Sequence, residues 1–473
     1  MVASKTMMLY GKVLSNGSLP RLSLIFVPFF FLLFILLCFQ INRPLLSLVP
    51  CAALILLIAC GYFGTIRTLA AVSISTFCLY YLKIIPGIFT LLPVEILILL
   101  CFLFFPLFVG KDIRNFIHSI PYKKSMLLLL FSILLTSMYI FTKSNNYFGQ
   151  AAYGNSKVII FVLGFILVFY LLYYEFISIR MVLNCITSAG AIFLAIIVLF
   201  YLKNGGLRVV LSERIGTSID IGPNTIAMAL DMIFPVTFFS ALYCKRNIIT
   251  KTALFLLSFL YLIVLFLTYS RGSIFGLIAL GVFLVFHKIK LHKIAIFMVI
   301  LLLSLTVWQE GIFKRFNAQD RAVMESNFDR VVLLQSAMKM IRENHIIFGN
   351  GMLTFSLAKY DYSFPKWADK QKGLSTHSLY VEHFVGLGLF GMLGISSMLF
   401  GTLFSLVRLK VPDSNEGIKF GLLFSLLSCM LHGFVDCQVG NPAFSLPLLA
   451  ILACSAILKY RNGDKPRNQP ESV

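Results

Sequence analysis

Apolar residues fall in long unbroken runs along this chain, and polar residues gather in the short stretches between them. Runs such as "LSLIFVPFFFLLFILLCF" (22–39) and "MLLLLFSILLTSMYIF" (126–141) approach the about 20 apolar residues that carry a helix across a bilayer core of about 30 Å. The pattern predicts spans near 23–40, 45–64, 68–82, 91–109, 125–141, 158–178, 181–201, 223–243, 252–269, 272–287, 294–308, 378–407, 418–437 and 443–459. In "LKIIPGIFTLLP" (82–93) two prolines disfavour helix continuation, so this stretch reads either as a loop or as a break in one folded-back segment. Because such runs recur from end to end, and the first has no small-residue cleavage site, it reads as a membrane span and not as a cleavable signal sequence.

One polar stretch is far longer than the rest. It runs from 309 to 377 and contains "NFDRVVLLQSAMKMIREN" (327–344), in which Val331, Leu334, Met338 and Ile341 recur at helical spacing. This predicts an amphipathic helix lying on the outer surface or across the membrane core. The chain thus divides into membrane helices over 1–308, a long outer loop over 309–377, C-terminal membrane helices over 378–459 and a polar, disordered tail over 460–473.

Charge then assigns sides. The N-terminal tail with Lys5, Lys12 and Arg21, "KDIRNFIHSIPYKK" (111–124), "CKRNIITK" (244–251), "HKIKLHK" (287–293), "VRLKVPDSNEGIK" (407–419) and the C-terminal tail alternate with Lys/Arg-poor loops. The positive-inside rule places these basic clusters in the cytoplasm. The outer face receives 142–157, 203–222, the "SRG" turn at 270–272, the long loop and 438–441. A formal charge of +21 is therefore a topological signal here and not a sign of nucleic-acid binding.

Composition agrees, with 59% hydrophobic residues and 47 Phe and a mean hydropathy of +0.91. A soluble domain does not hide that much apolar surface. The ten Cys are scattered, mostly inside apolar runs, with no paired spacing, so they read as small buried hydrophobes and imply neither a disulfide framework nor a metal site.

Three residues at outer helix mouths could carry chemistry: Arg214 in "SERIGTSIDIGPN", Arg271 in "TYSRGS" and His377 in "STHSLY". Two guanidinium forks on one face suit a pyrophosphate. An imidazole, with an ordinary pKa of about 6.5, can accept a proton at neutral pH. Each also has a plain structural reading. Arg271 could snorkel to headgroups, Arg214 could pair with Asp220, and His377 could simply begin a helix. His383 and His432 lie within spans and read as packed, hydrogen-bonded side chains. Gly386, Gly388, Gly391 and Gly394 would let the last long span pack closely on a neighbour.

Taken together, "RIGTSIDIGPNTIAMAL", "TYSRGSIFGL", "DRVVLLQSAMKMIRENHIIFGNGMLTF" and "THSLYVEHFVGLGLFG" resemble, in order and approximate spacing, the O-antigen ligase family, which also holds related polysaccharide polymerases. The resemblance covers roughly residues 205–400. It implies a GT-C-type, all-α membrane glycosyltransferase; the 14 spans read from the pattern exceed the 12 typical of the ligases, so 12 to 14 membrane helices are expected. The donor would be an undecaprenyl-pyrophosphate-linked glycan, taken at the outer face of the bacterial inner membrane. By the same resemblance, Arg214 and Arg271 hold the donor pyrophosphate, and His377 activates the hydroxyl of a glycan or lipid A core acceptor. No metal or cofactor is implied. Ser378 follows the histidine where the family commonly has Asn, and "RVVLL" (330–334) lacks the aromatic residue often found there. A transporter of lipid-linked sugars is the competing class, but internal repeats of the kind common in transporters are not visible in the sequence.

Overall fold

A computed structural model describes residues 113–142, 147–203, 215, 222–243, 248–286, 321–343, 346–358, 375–437 and 441–463. Within them all regular structure is helical. The elements are α1 (Ile113–Ser119), α2 (Lys123–Thr142), α3 (Phe148–Tyr173), α4 (Ile179–Lys203), α5 (Pro223–Leu242), α6 (Ile248–Leu267) and α7 (Arg271–Phe286). They continue with α8 (Arg321–Glu343), α9 (Phe355–Ala358), α10 (Leu379–Arg408), α11 (Asp413–Gly433) and α12 (Pro442–Gly463). Each expected span from 125 to 287 and from 378 to 459 has its helix. The expected spans before residue 110 and at 294–308 and the break at 82–93 lie outside the described residues. The tail expected to be disordered from 460 is instead helical through Gly463 and lies outside the described residues from 464 onward.

Helix α5 is apolar on every side and almost entirely buried, as a helix at the centre of a bundle must be. It packs most extensively on α11 and α6, while α2 packs along α10 and α3 along α12. Lipid-facing residues are equally legible: Leu127, Leu134, Met138 and Phe141 of α2 are exposed, an arrangement stable only in an apolar solvent.

The bundle has two distinct ends. At one, Arg461 donates to the Leu172 carbonyl at 3.0 Å and pairs with Glu175 at 3.2 Å, and Arg180 reaches the Ser414 carbonyl at 3.5 Å. Of these residues, Ser414 and Arg461 lie in basic segments that the charge pattern grouped. At the other end, Ile215 N–H donates to the Leu267 carbonyl at 3.0 Å, Asn441 bonds Thr225 at 3.4 Å, and the mouths of α7 and α10 carry Arg271 and His377.

Two expectations are corrected. The segment 142–157 is not loop throughout, because α3 begins at Phe148. Its polar residues are used inside: Asn155 accepts the Met352 N–H at 3.1 Å, and the buried Lys157 ammonium lies 4.8 Å from the centre of the Tyr153 ring. The helix at 327–344 exists and begins at Arg321, but Val331, Leu334 and Met338 are exposed. The buried face is Leu333, Ala337, Met340 and Ile341, packed with Phe355 and Val385. Both faces are apolar, so periodicity alone could not choose between them; the contact with α10 did.

The glycine-rich start of α10 is broken, with Gly388 at φ 70° and ψ −168°. A break exposes backbone groups that a membrane interior cannot hydrate. Residues 346–351 supply the missing partners: Asn350 N–H donates to the Val385 carbonyl and Gly351 N–H to the Gly386 carbonyl, both at 2.8 Å, while Leu389 N–H donates to the Ile346 carbonyl at 2.9 Å. Thr136 bonds the Phe348 carbonyl from α2. Gly386 and Gly388 thus admit this inserted segment, while Gly394 lies against Leu129 and Ser125 of α2. A methyl group on Gly388 would strike the Ile347 carbonyl in a backbone region that alanine rarely adopts. Gly388→Ala is therefore expected to destabilise the protein by at least about 2 kcal/mol, read as a lower melting temperature in detergent; an unchanged melt would show that the break is not required.

Candidate active site at one end of the bundle

His377 sits between the polar loop and α10, with φ 54°. Left-handed backbone is uncommon for a residue with a Cβ and persists only where its surroundings fix it. Those surroundings are present. Glu382, buried one turn into α10, accepts the Thr376 N–H at 3.1 Å, and the Thr376 hydroxyl donates to the Ser378 carbonyl at 3.0 Å. The loop is pinned on both sides of the imidazole.

The ring itself is anchored from the segment that follows α11. His377 Nδ1 lies 3.3 Å from Asp436 Oδ1, and the Cys437 N–H donates to the same oxygen at 2.7 Å. With Nδ1–H donating to a carboxylate, Nε2 carries the lone pair. The His377 side chain keeps 21% of its exposure, against 3% for Asp436. Burial acts to raise the Asp436 carboxyl, while its hydrogen bonds with His377 and the Cys437 N–H act the other way, and the net direction is below the usual carboxylate range. It stays ionised at neutral pH. Its Oδ2 is buried and has no hydrogen-bond partner among the described residues.

Arg271 opens α7 at the same end, immediately after Tyr269, another non-glycine residue with positive φ (50°), and Ser270. Burial acts first against the Arg271 charge, and the like charge of Arg330 in α8 acts second. Arg214 lies outside the described residues, although its neighbour Ile215 is buried and bonded to the end of α6. His383 is buried and its Nδ1–H donates to the Leu379 carbonyl at 2.8 Å, the packed role expected of it.

His432 is also buried, as expected, but its partner was not foreseen. Its Nδ1 lies 2.6 Å from Asp231 Oδ2, and Ser273 donates to the same oxygen at 2.9 Å. Sequence reasoning therefore missed Asp436, Asp231 and Arg330. A signal existed for two of them: Asp231 interrupts an apolar helix, and "LHGFVDC" (431–437) puts an acid four residues after a histidine at the end of a span. Ionisable residues at membrane depth are costly and mark function by default.

Seven described helices are long and apolar enough to cross a membrane, which together with the polar site at one end defines a polytopic helical membrane protein. Residues 256–396 match the family model described as O-antigen ligase, and the match supports assigning the chain to the O-antigen ligase family. It spans Arg271, Arg330 and His377, whereas Asp231, His432 and Asp436 lie outside it. No curated protein matches the chain.

Proposed function

We propose that this protein is a GT-C-type glycosyltransferase of the bacterial inner membrane, an O-antigen ligase that moves a glycan from undecaprenyl pyrophosphate to a lipid A core hydroxyl at the periplasmic face. The observation that carries the reading is the His377 imidazole, held at Nδ1 by an ionised carboxylate, at the same end of the bundle as Arg271. In the reaction, the acceptor oxygen forms a bond to the anomeric carbon as its proton passes to His377 Nε2. The bond from that carbon to the carrier phosphate breaks, and its electron pair leaves on the pyrophosphate. Arg271 and Arg214 neutralise the charge gained there, where fixed cations act most strongly because water is scarce. The long loop over 309–377 returns the chain to the site at His377.

Arg271→Lys is expected to lower transfer by about 100-fold, because an ammonium group does not reproduce the bidentate fork. Wild-type rates from Arg271→Ala, present at normal membrane levels, would remove the arginine from the donor site. The side of the membrane is checked with single cysteines: one at Asn145 is expected to react with an impermeant thiol reagent in spheroplasts, and one at Asn415 only after the membrane is broken. The reverse pattern would put the site in the cytoplasm.

The glycan profile of a deletion strain tests the acceptor. Long chains left on the carrier are the expected result for a ligase. Single repeat units would assign the chain to the polymerases of the same family, and carrier-linked units trapped inside would assign it to transport.

A further inference from the structure

The proposed reaction uses His377, Asp436 and the arginines and leaves a second imidazole–carboxylate pair unexplained. Asp231 sits in α5 about 12 Å below its first residue, at about 1.5 Å of rise per residue. His432 is in the last turn of α11. Both side chains are almost completely buried, with 2% and 1% of their exposure left. A carboxylate there is tolerated only when it is paired, and the pairing is complete in an unusual direction. Asp231 accepts from His432 at 2.6 Å and from Ser273 at 2.9 Å, while the Ser270 hydroxyl lies 3.3 Å from His432 Nε2. With Nδ1–H given to the carboxylate, Nε2 accepts from Ser270.

Among the described residues, the further side-chain hydrogen bonds of the pair go to one four-residue turn, Ser270–Arg271–Gly272–Ser273. Gly272 lies flat on the imidazole: a Cβ there would stand 2.5 Å from Cδ2 and 2.6 Å from Cγ of His432. The turn is bonded at both ends and seated in its middle, and Arg271 is the residue it carries. The same stretch of α11 runs on to the base. The His432 carbonyl accepts the N–H groups of Val435 and Asp436 at 2.9 and 3.0 Å, and Asp436 holds His377. A pair kept for stability alone has no need of this direction, since apolar side chains of similar volume stabilise a core equally well.

We infer that Asp231 and His432 are positioning residues that set Arg271 against the donor pyrophosphate and fix its place relative to the His377–Asp436 dyad. This rests on the proposed function. Neither side chain touches the reacting atoms; each acts through the turn, where a displacement of about 1 Å can cost about 100-fold in rate.

The test is steady-state transfer in proteoliposomes, with an undecaprenyl-pyrophosphate-linked glycan as donor and donor and acceptor KM measured separately. Ser270→Ala removes one hydroxyl and leaves the packing in place. It is expected to raise the donor KM about tenfold with the acceptor KM unchanged, by loss of a positioning contact. Ser270→Thr keeps the hydroxyl and is expected to restore most of the donor affinity, which a packing defect would not allow. Gly272→Ala, forced off the imidazole, and Asp231→Asn are expected to show the same donor-side effect. A Ser270→Ala donor KM within about twofold of wild type overturns the inference, whether or not Asp231→Asn folds, because a positioning contact predicts a larger loss. Wild-type protein that transfers nothing would instead remove the reading on which the inference rests.

Discussion

His377→Gln is expected to slow glycan transfer by about 100-fold to 10,000-fold, the usual contribution of a general base. Glutamine retains a hydrogen bond to Asp436 but has no lone pair basic enough to take the acceptor proton, so the loss falls on the chemical step. Donor binding is expected to survive, because the proposed donor site at the arginines does not depend on the imidazole. The control is His383→Ala. That side chain is buried and bonded within its own helix turn, so its loss is expected to lower stability while the turnover of the folded protein stays near wild type. Near-normal turnover by His377→Gln would reduce the histidine to a loop-terminating residue, and its left-handed backbone would then be without a purpose.

Asp436→Asn is expected to produce the second-largest loss, about 1,000-fold in turnover. The carboxylate fixes Nδ1–H on His377 and so leaves Nε2 free to accept. An amide can present its own N–H to Nδ1, which stabilises the opposite tautomer and puts the proton where the lone pair is needed. The corresponding change in a Ser–His–Asp triad costs about 10,000-fold, and the 3.3 Å separation here argues for somewhat less. Asp436→Glu separates this from a loss of charge alone: it keeps the ionised group but moves it, and is expected to recover only part of the rate. If Asp436→Asn turned over at the wild-type rate, the carboxylate would be structural and His377 would be oriented by the pinned loop alone.

Much of this arrangement was legible in the sequence because the membrane simplifies the physics. A span needs length and apolarity, both of which a one-dimensional pattern records, and α2, α4 to α7 and α10 to α12 fall close to where the pattern put them, while α3 starts ten residues early. Loop charge likewise grouped 407–419 with the C-terminal tail, and the structure places Ser414 and Arg461 at one end of the bundle. A lone polar residue at the edge of a span was also readable, which is how Arg271 and His377 were singled out as candidates. What stayed hidden depends on contacts between distant segments. Nothing local says that Asn350 and Gly351 will bond the carbonyls freed at Gly388, or which apolar face of α8 will meet Val385. Pairings such as Asp231 with His432, about 200 positions apart in the chain, are set by how α5 and α11 pack, and packing is not a periodic property of either helix. Asn155 and Lys157 were misread as loop for the opposite reason: polarity near a span boundary suggests water, yet here both side chains are buried.

The account's central claim is that glycan leaves a polyprenyl pyrophosphate carrier at the end of the bundle that holds His377 and Arg271. It is tested most directly by reconstituting the purified protein in liposomes with an undecaprenyl-pyrophosphate-linked glycan and a lipid A core acceptor, and measuring free undecaprenyl pyrophosphate and glycosylated acceptor together. The account predicts that the wild-type protein forms both in equal amounts and that His377→Gln, equally well incorporated, forms almost none of either. A donor left intact by the wild-type protein, with acceptor present and with additional glycan donor offered as acceptor in its place, would contradict it.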